Sequence, residues 1–126
     1  MNVTYINEQH KEALEKSIRL AGLKNEANYY KKVPLYVLTS IPVFQDLDKL
    51  SLVFNFDGGY FDPDAIYKFE LSTGESILFG LAMNLFNGHV YKEVEIAPYQ
   101  AMSWLSKEYK QVFLSAMEYR FVNNVA

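Results

Sequence analysis

Residues Ser72 to Gly88, STGESILFGLAMNLFNG, restrict what this chain can fold into more than any other stretch. Ser72 followed three residues later by Glu75 is a capping-box pattern. The serine hydroxyl accepts from a free backbone N–H of the first turn, and the glutamate reaches back to the serine. Gly88 supplies the left-handed residue on which helices commonly end. Between them, Ile77, Leu78, Phe79, Leu81, Ala82, Met83, Leu85 and Phe86 leave almost no polar face. A helix apolar nearly all round is surrounded by protein or lipid. This apolar run is about half the roughly 20 residues that a bilayer requires. The spacing therefore predicts a central helix enclosed by the rest of a small domain, and no membrane span.

Length and composition set the remaining bounds. At 126 residues the chain reads as one domain, 1–126, large enough to bury a core. Ten tyrosines and nine phenylalanines supply much of that core volume and leave hydroxyls for its rim. Phosphate-backbone binding needs clustered lysine and arginine. A net charge of −3, with Lys31-Lys32 as the only adjacent basic pair, points away from a nucleic-acid partner. The absence of cysteine excludes disulfides, thiolate catalysis and cysteine-ligated zinc. MNVTYINEQHKEAL has no basic start followed by an apolar run, so a cytoplasmic location is expected.

Along the chain, Asn7 caps a first helix, Glu8 to Ala21, stopped by Gly22, with Leu14, Ile18 and Ala21 on one face. Asn25 or Asn28 starts a second helix that reaches about Thr39, with Tyr30, Val33 and Val37 at helical spacing. Pro34 either begins that helix or kinks it, because proline removes a hydrogen bond and clashes with the preceding turn; the kink is favoured. Ser40 and Pro42 launch a shorter helix through Leu47, Leu50 and Val53. From Ser51 two readings compete. Leu52, Phe54 and Phe56 alternate, and Asp57-Gly58-Gly59 can turn a hairpin into Tyr60 and Phe61; the alternative is a helix to Phe54 and a glycine-rich loop. Asp62-Pro63 starts a short helix to Phe69. His89 to Ile96 is strand or loop, Pro98 begins a short helix through Trp104, and Ser106 caps the last helix, Lys107 to about Val122. Its inward face is read as Tyr109, Phe113, Ala116, Met117 and Phe121.

These pieces predict an all-α fold: a compact multi-helix domain of about five to six helices around the buried central helix, with a short hairpin near residues 52–61 as the open β element. INEQHKEAL, LYVLTSIPVF, VFNFDGGYF, STGESILFGLAMNLFNG and AMEYRF, in that order, resemble a family of small bacterial and phage proteins known only as a domain of unknown function. Pro34 and Gly58-Gly59 depart from the family pattern, where helix-compatible and more polar residues are expected. The resemblance implies a compact all-helical domain, tips Leu52–Phe56 toward helix, and implies no activity.

Chemistry-bearing residues are sparse. His10, in a first helical turn, reads as exposed, and His89 as the residue after a helix end; neither sits in a nucleophile motif. Asp57, Asp62 and Asp64 fail the calcium-loop spacing, because the twelfth position from Asp57 is Lys68. Capping by Asp62 and a turn at Asp57 account for them. Gly58-Gly59 lacks the lysine and strand-to-helix setting of a phosphate loop. Asn84, the only polar side chain inside the apolar run, needs a hydrogen bond and reads as a link to a neighbouring helix. Arg120 either pairs with Glu75 or lies along the surface.

Two functions from different classes follow. The first is a protein-binding or regulatory module, for example a phage-encoded inhibitor of a host defence protein. It docks another protein or a second copy of itself through aromatic residues among Tyr29, Tyr30 and Tyr36, with Asn84 and His89 as further binding candidates. Tyr30 is read as the buried member of that cluster, and Tyr29 as the one whose truncation costs binding and leaves the fold intact. The alternative is a small enzyme with a polar site near Glu75, Asn84 and His89. No catalytic set, metal site or cofactor is implied.

Overall fold

Each long helix whose start is capped begins where a short polar side chain takes over a free backbone N–H. The structure, a computed structural model, describes residues 3–24 and 28–123. In chain order its elements are α1 (Glu8–Ala21), α2 (Tyr29–Thr39), a 3₁₀ turn (Pro42–Gln45), α3 (Leu47–Leu50), strands β1 (Phe54–Asn55) and β2 (Tyr60–Phe61), a 3₁₀ helix (Pro63–Lys68), α4 (Thr73–Asn87), α5 (Pro98–Trp104) and α6 (Lys107–Phe121). The fold is all-helical apart from the two short strands.

The caps follow the sequence. The Asn7 side chain accepts from the His10 N–H, and Gly22 closes α1 at φ 69°. At α4 both halves of the capping box are present: the Glu75 N–H donates to Ser72 Oγ at 3.2 Å, and the Ser72 N–H donates to Glu75 Oε1 at 2.9 Å. Gly88 ends α4 at φ 81°, donating to the Asn84 carbonyl. Ser106 caps α6 through the Tyr109 N–H.

The centre of the molecule is a pair of helices. Ile77 to Met83 and Leu85 of α4 are buried, as the apolar run predicts. The most extensive packing of α4 is on α2, whose residues Lys32 to Thr39 are all buried. α2 is thus enclosed at least as fully as α4, although its tyrosines, lysines and threonine give it a weaker apolar signature. Pro34 lies inside α2, so the helix does not begin there. The possible start at Asn25 lies outside the described residues; Asn28 directly precedes the helix. α1 and α6 flank α2.

Several local readings are corrected. Leu52–Phe56 is not helix, as the family resemblance had tipped it. Phe54 pairs with Phe61 and Asn55 with Tyr60 in an antiparallel hairpin, and the third helix ends at Leu50 rather than Val53. The Phe54, Phe61 and Phe86 rings stack in sequence, with centroids 4.6 and 4.8 Å apart, so the hairpin is held by the end of α4. That support is what an isolated pair of strands lacks. α6 buries Val112, Phe113, Ala116 and Tyr119, leaving Phe121 exposed and Met117 and Tyr109 half-buried. On α1 the buried set is His10, Ala13, Leu14 and Ser17, with Ile18 and Ala21 at its edge.

Residues 89–97 form no regular element and lie across α4. The close approach is at Gly80, where an added Cβ would stand 3.0 Å from Val94 Cγ1 and 3.1 Å from Ile96 Cγ2. Any larger side chain there collides with the segment. Gly80→Leu is therefore expected to destabilise the protein by about 1–2 kcal/mol, because overpacking outweighs the roughly 1 kcal/mol that leucine returns in helix propensity. Urea melts of the two proteins measure this; an unchanged or higher midpoint would show that residues 89–97 are not seated on α4.

Candidate functional site

The first turns of α4 form the floor of an open groove. The 3₁₀ helix and the residues following it make one wall; the segment seated on Gly80 and α5 make the other. Two adjoining depressions, of about 430 and 490 Å³, share Leu71, Ser76, Glu93 and Val94 and so run together. One extends past Glu95 to Trp104, the other past Glu70 to Tyr67. Trp104 is 68% and Tyr67 67% exposed. The ionisable groups of the lining are the carboxylates of Glu70, Glu93 and Glu95 with the hydroxyls of Tyr67 and Tyr91; no lysine, arginine or histidine lines either depression.

Hydrogen bonds hold this lining in place. The Tyr67 hydroxyl donates to Glu93 Oε1 at 3.1 Å, joining the two walls. Glu93 thereby holds the Tyr67 phenol above its ordinary pKa. Glu95 Oε1 accepts from the Ala97 N–H at 2.9 Å, fixing the turn into α5. The buried Tyr91 donates to the Pro63 carbonyl at 2.6 Å, and burial raises its pKa strongly. The wall segment is thus tied at Gly80, at Pro63 and at the start of α5.

The residues singled out in the sequence fall elsewhere, and not together. Tyr36 is fully buried, its hydroxyl donating to the Thr4 carbonyl, with burial pushing its pKa up to about 12; it is no part of a surface. Tyr30 is the exposed member of the cluster at 38%, whereas Tyr29 packs half-buried on the core, reversing the expected order. Arg120 does not pair with Glu75, whose carboxylate serves the cap. Its guanidinium lies over the rings of Tyr29 and Phe121, 5.2 and 5.1 Å from their centroids, with Nε buried and unbonded. Asn84 donates to the His89 carbonyl at 3.3 Å, holding the exit of its own helix rather than a neighbouring one. The His89 ring stands edge-on to Tyr91. About 18 Å of helix axis separates Glu75 from that end of α4, so Glu75, Asn84 and His89 do not share a pocket. Asp62 caps the 3₁₀ helix through the Asp64 N–H. Among the described residues no group of three or more His, Cys, Asp or Glu is placed to hold a metal ion, and no helix is long and apolar enough to cross a membrane.

A family model described as a family of unknown function (DUF6075) matches residues 1–126. The chain belongs to that family. No curated protein and no solved structure matches it. Pro34 and Gly58-Gly59 are accommodated in this DUF6075 fold as an interior helix position and a hairpin turn.

His10 is the clearest departure from expectation in this DUF6075 chain. It is fully buried. Its Nε2–H donates to the Tyr36 carbonyl at 2.8 Å, and Nδ1 accepts from the Ile6 N–H at 3.2 Å. A carbonyl only accepts and a backbone N–H only donates, so both contacts together require the neutral ring. Burial lowers its pKa against the opposing pull of the Tyr36 carbonyl. The unfolded chain takes up this proton near pH 6.5, the folded chain only below that. The contribution to stability is therefore complete above about pH 6.5 and is lost as pH falls, with a slope of at most about 1.4 kcal/mol per pH unit. Urea melts between about pH 7.5 and 5 should show this component in the wild type and not in His10→Gln. Equal slopes for the two proteins would contradict it.

Proposed function

We propose that this DUF6075 protein is a protein-binding module whose docking surface is the groove over the first turns of α4. The observation that carries the reading is the pairing of an apolar lining, Ile77 on the floor with Leu71 and Val94 on the walls, with two large aromatic side chains exposed on opposite rims. Tryptophan and tyrosine beside a desolvated apolar patch are the residues that most often anchor a protein partner. A Trp104 left two-thirds exposed contributes little to the monomer's core and has that exposed ring surface available for burial. The enzyme reading is less well supported, because its three polar residues stand at opposite ends of α4. A regulatory role in the cytoplasm, on a partner such as a host defence protein, belongs to the same proposal; the family resemblance contributes only a bacterial or phage setting.

Affinity capture from cell extract with wild type, Trp104→Ala and Tyr30→Ala, read beside thermal melts, tests the docking surface. Truncating an aromatic anchor costs about 2 kcal/mol of binding or more, a loss of roughly 30-fold. The expected result is a protein retained by wild type and Tyr30→Ala but lost from Trp104→Ala, at an unchanged melting temperature. Loss from Tyr30→Ala alone would place the surface on α2, and retention of the same proteins by all three would remove both patches.

A further inference from the structure

We infer that the segment seated in the groove is a basic, extended stretch of a partner protein, with lysine or arginine side chains placed between the carboxylates and the aromatic rims. This rests on the docking reading above and adds the chemistry of the partner. The charged groups of the groove all have one sign: Glu70, Glu93 and Glu95 line it with no cation among them. Two of these carboxylates are already oriented, Glu93 by the Tyr67 hydroxyl and Glu95 by the Ala97 N–H, each through one oxygen. The remaining acceptor positions are open to a charge-assisted donor at little ordering cost. Trp104 and Tyr67 offer ring faces on which a guanidinium or an aliphatic stem can lie. A guanidinium uses both features at once, since it stacks in its plane and donates along its edge.

Shape points to a segment rather than to a compact ligand. The two depressions lie side by side along the wall formed by Glu93 and Val94. Alternate side chains of an extended peptide project on one face about 7 Å apart, which lets successive basic residues enter successive depressions. The chain's net charge of −3 adds a weak attraction for the same sign of partner.

Trp104 is the only tryptophan, so its emission reports on the groove directly. The experiment titrates the protein with a synthetic peptide alternating glycine and arginine. Matched peptides carry lysine, glutamine or glutamate in place of arginine, and arginine amide serves as the small-amine control. The arginine and lysine peptides should shift the emission saturably, with an affinity that falls as salt rises. Binding should weaken about fivefold to tenfold in a Glu93→Gln, Glu95→Gln variant. Glu93→Gln keeps an acceptor for Tyr67, so the wall itself is preserved. Three results overturn the inference: no saturable shift with the basic peptides, equal binding of the glutamine peptide, or arginine amide binding as tightly as the arginine peptide. If the basic peptides fail while Trp104-dependent capture of a partner persists, only the basic chemistry falls. If both fail, the docking reading falls with it.

Discussion

The packing of α4 against α2 is the interaction on which the remaining structure depends. Both helices are buried on nearly every side, so each must be covered by other parts of a short chain. α1 and α6 cover α2, and the hairpin, the 89–97 segment and α5 cover α4. A helix with no polar face has no solvated position available to it, and any arrangement that uncovers it gives up roughly 25 cal/mol for each square ångström of apolar surface re-exposed. The loops therefore act as packing elements. The 89–97 segment shows this most clearly, because a glycine in α4 lets the Val94 and Ile96 side chains come down onto the helix.

The groove follows from that covering and its incompleteness. The capping box turns the chain into α4 at Ser72, directly after the 3₁₀ helix, and the segment crossing Gly80 leaves the first turns of α4 between two walls. Because Glu75 and Ser72 satisfy each other, the start of α4 does not need groove residues for capping. Thr73 and Ser76 are left to line the groove, and the Glu93 and Glu95 carboxylates are held by a bond across the walls and a bond at the turn into α5. The same scaffold thus accounts for a buried floor and for a lining whose charged groups all carry one sign.

Local signals in the chain were strong enough to place most helices. Asn7, Ser72 and Ser106 mark helix starts through side chains that accept from the first turn, and Gly22 and Gly88 mark ends, all of them interactions within a few residues. His10 was misread because its neighbours, Asn7 to Glu12, are polar, while its partners are the Tyr36 carbonyl on α2 and the Ile6 N–H before the helix. Tyr36 was misplaced for the same reason: a hydroxyl that looks suited to a rim is satisfied in the interior by Thr4. Spacing alone points Phe121 inward with Met117, but only Met117 packs against the core, because the buried face is set by where α2 lies. The groove left almost no trace in the sequence. Its walls are about twenty residues apart, and each carboxylate looks like ordinary surface. The alternation Glu93-Val94-Glu95 and the lone Trp104 are the signals that were present, and neither acquires meaning until Gly80 brings Val94 down onto α4.

The burial of α4 from Ile77 to Met83 implies that this stretch exchanges with solvent only when the whole protein opens. Native-state hydrogen exchange measures this residue by residue. Amides from Ile77 to Leu85, with those of Leu35 to Thr39, are expected to exchange with the free energy of global unfolding, and those of α5 and residues 89–97 more readily. Amides in the middle of α4 exchanging faster than those of α1 would contradict it, because the helix would then be opening without the rest of the structure around it.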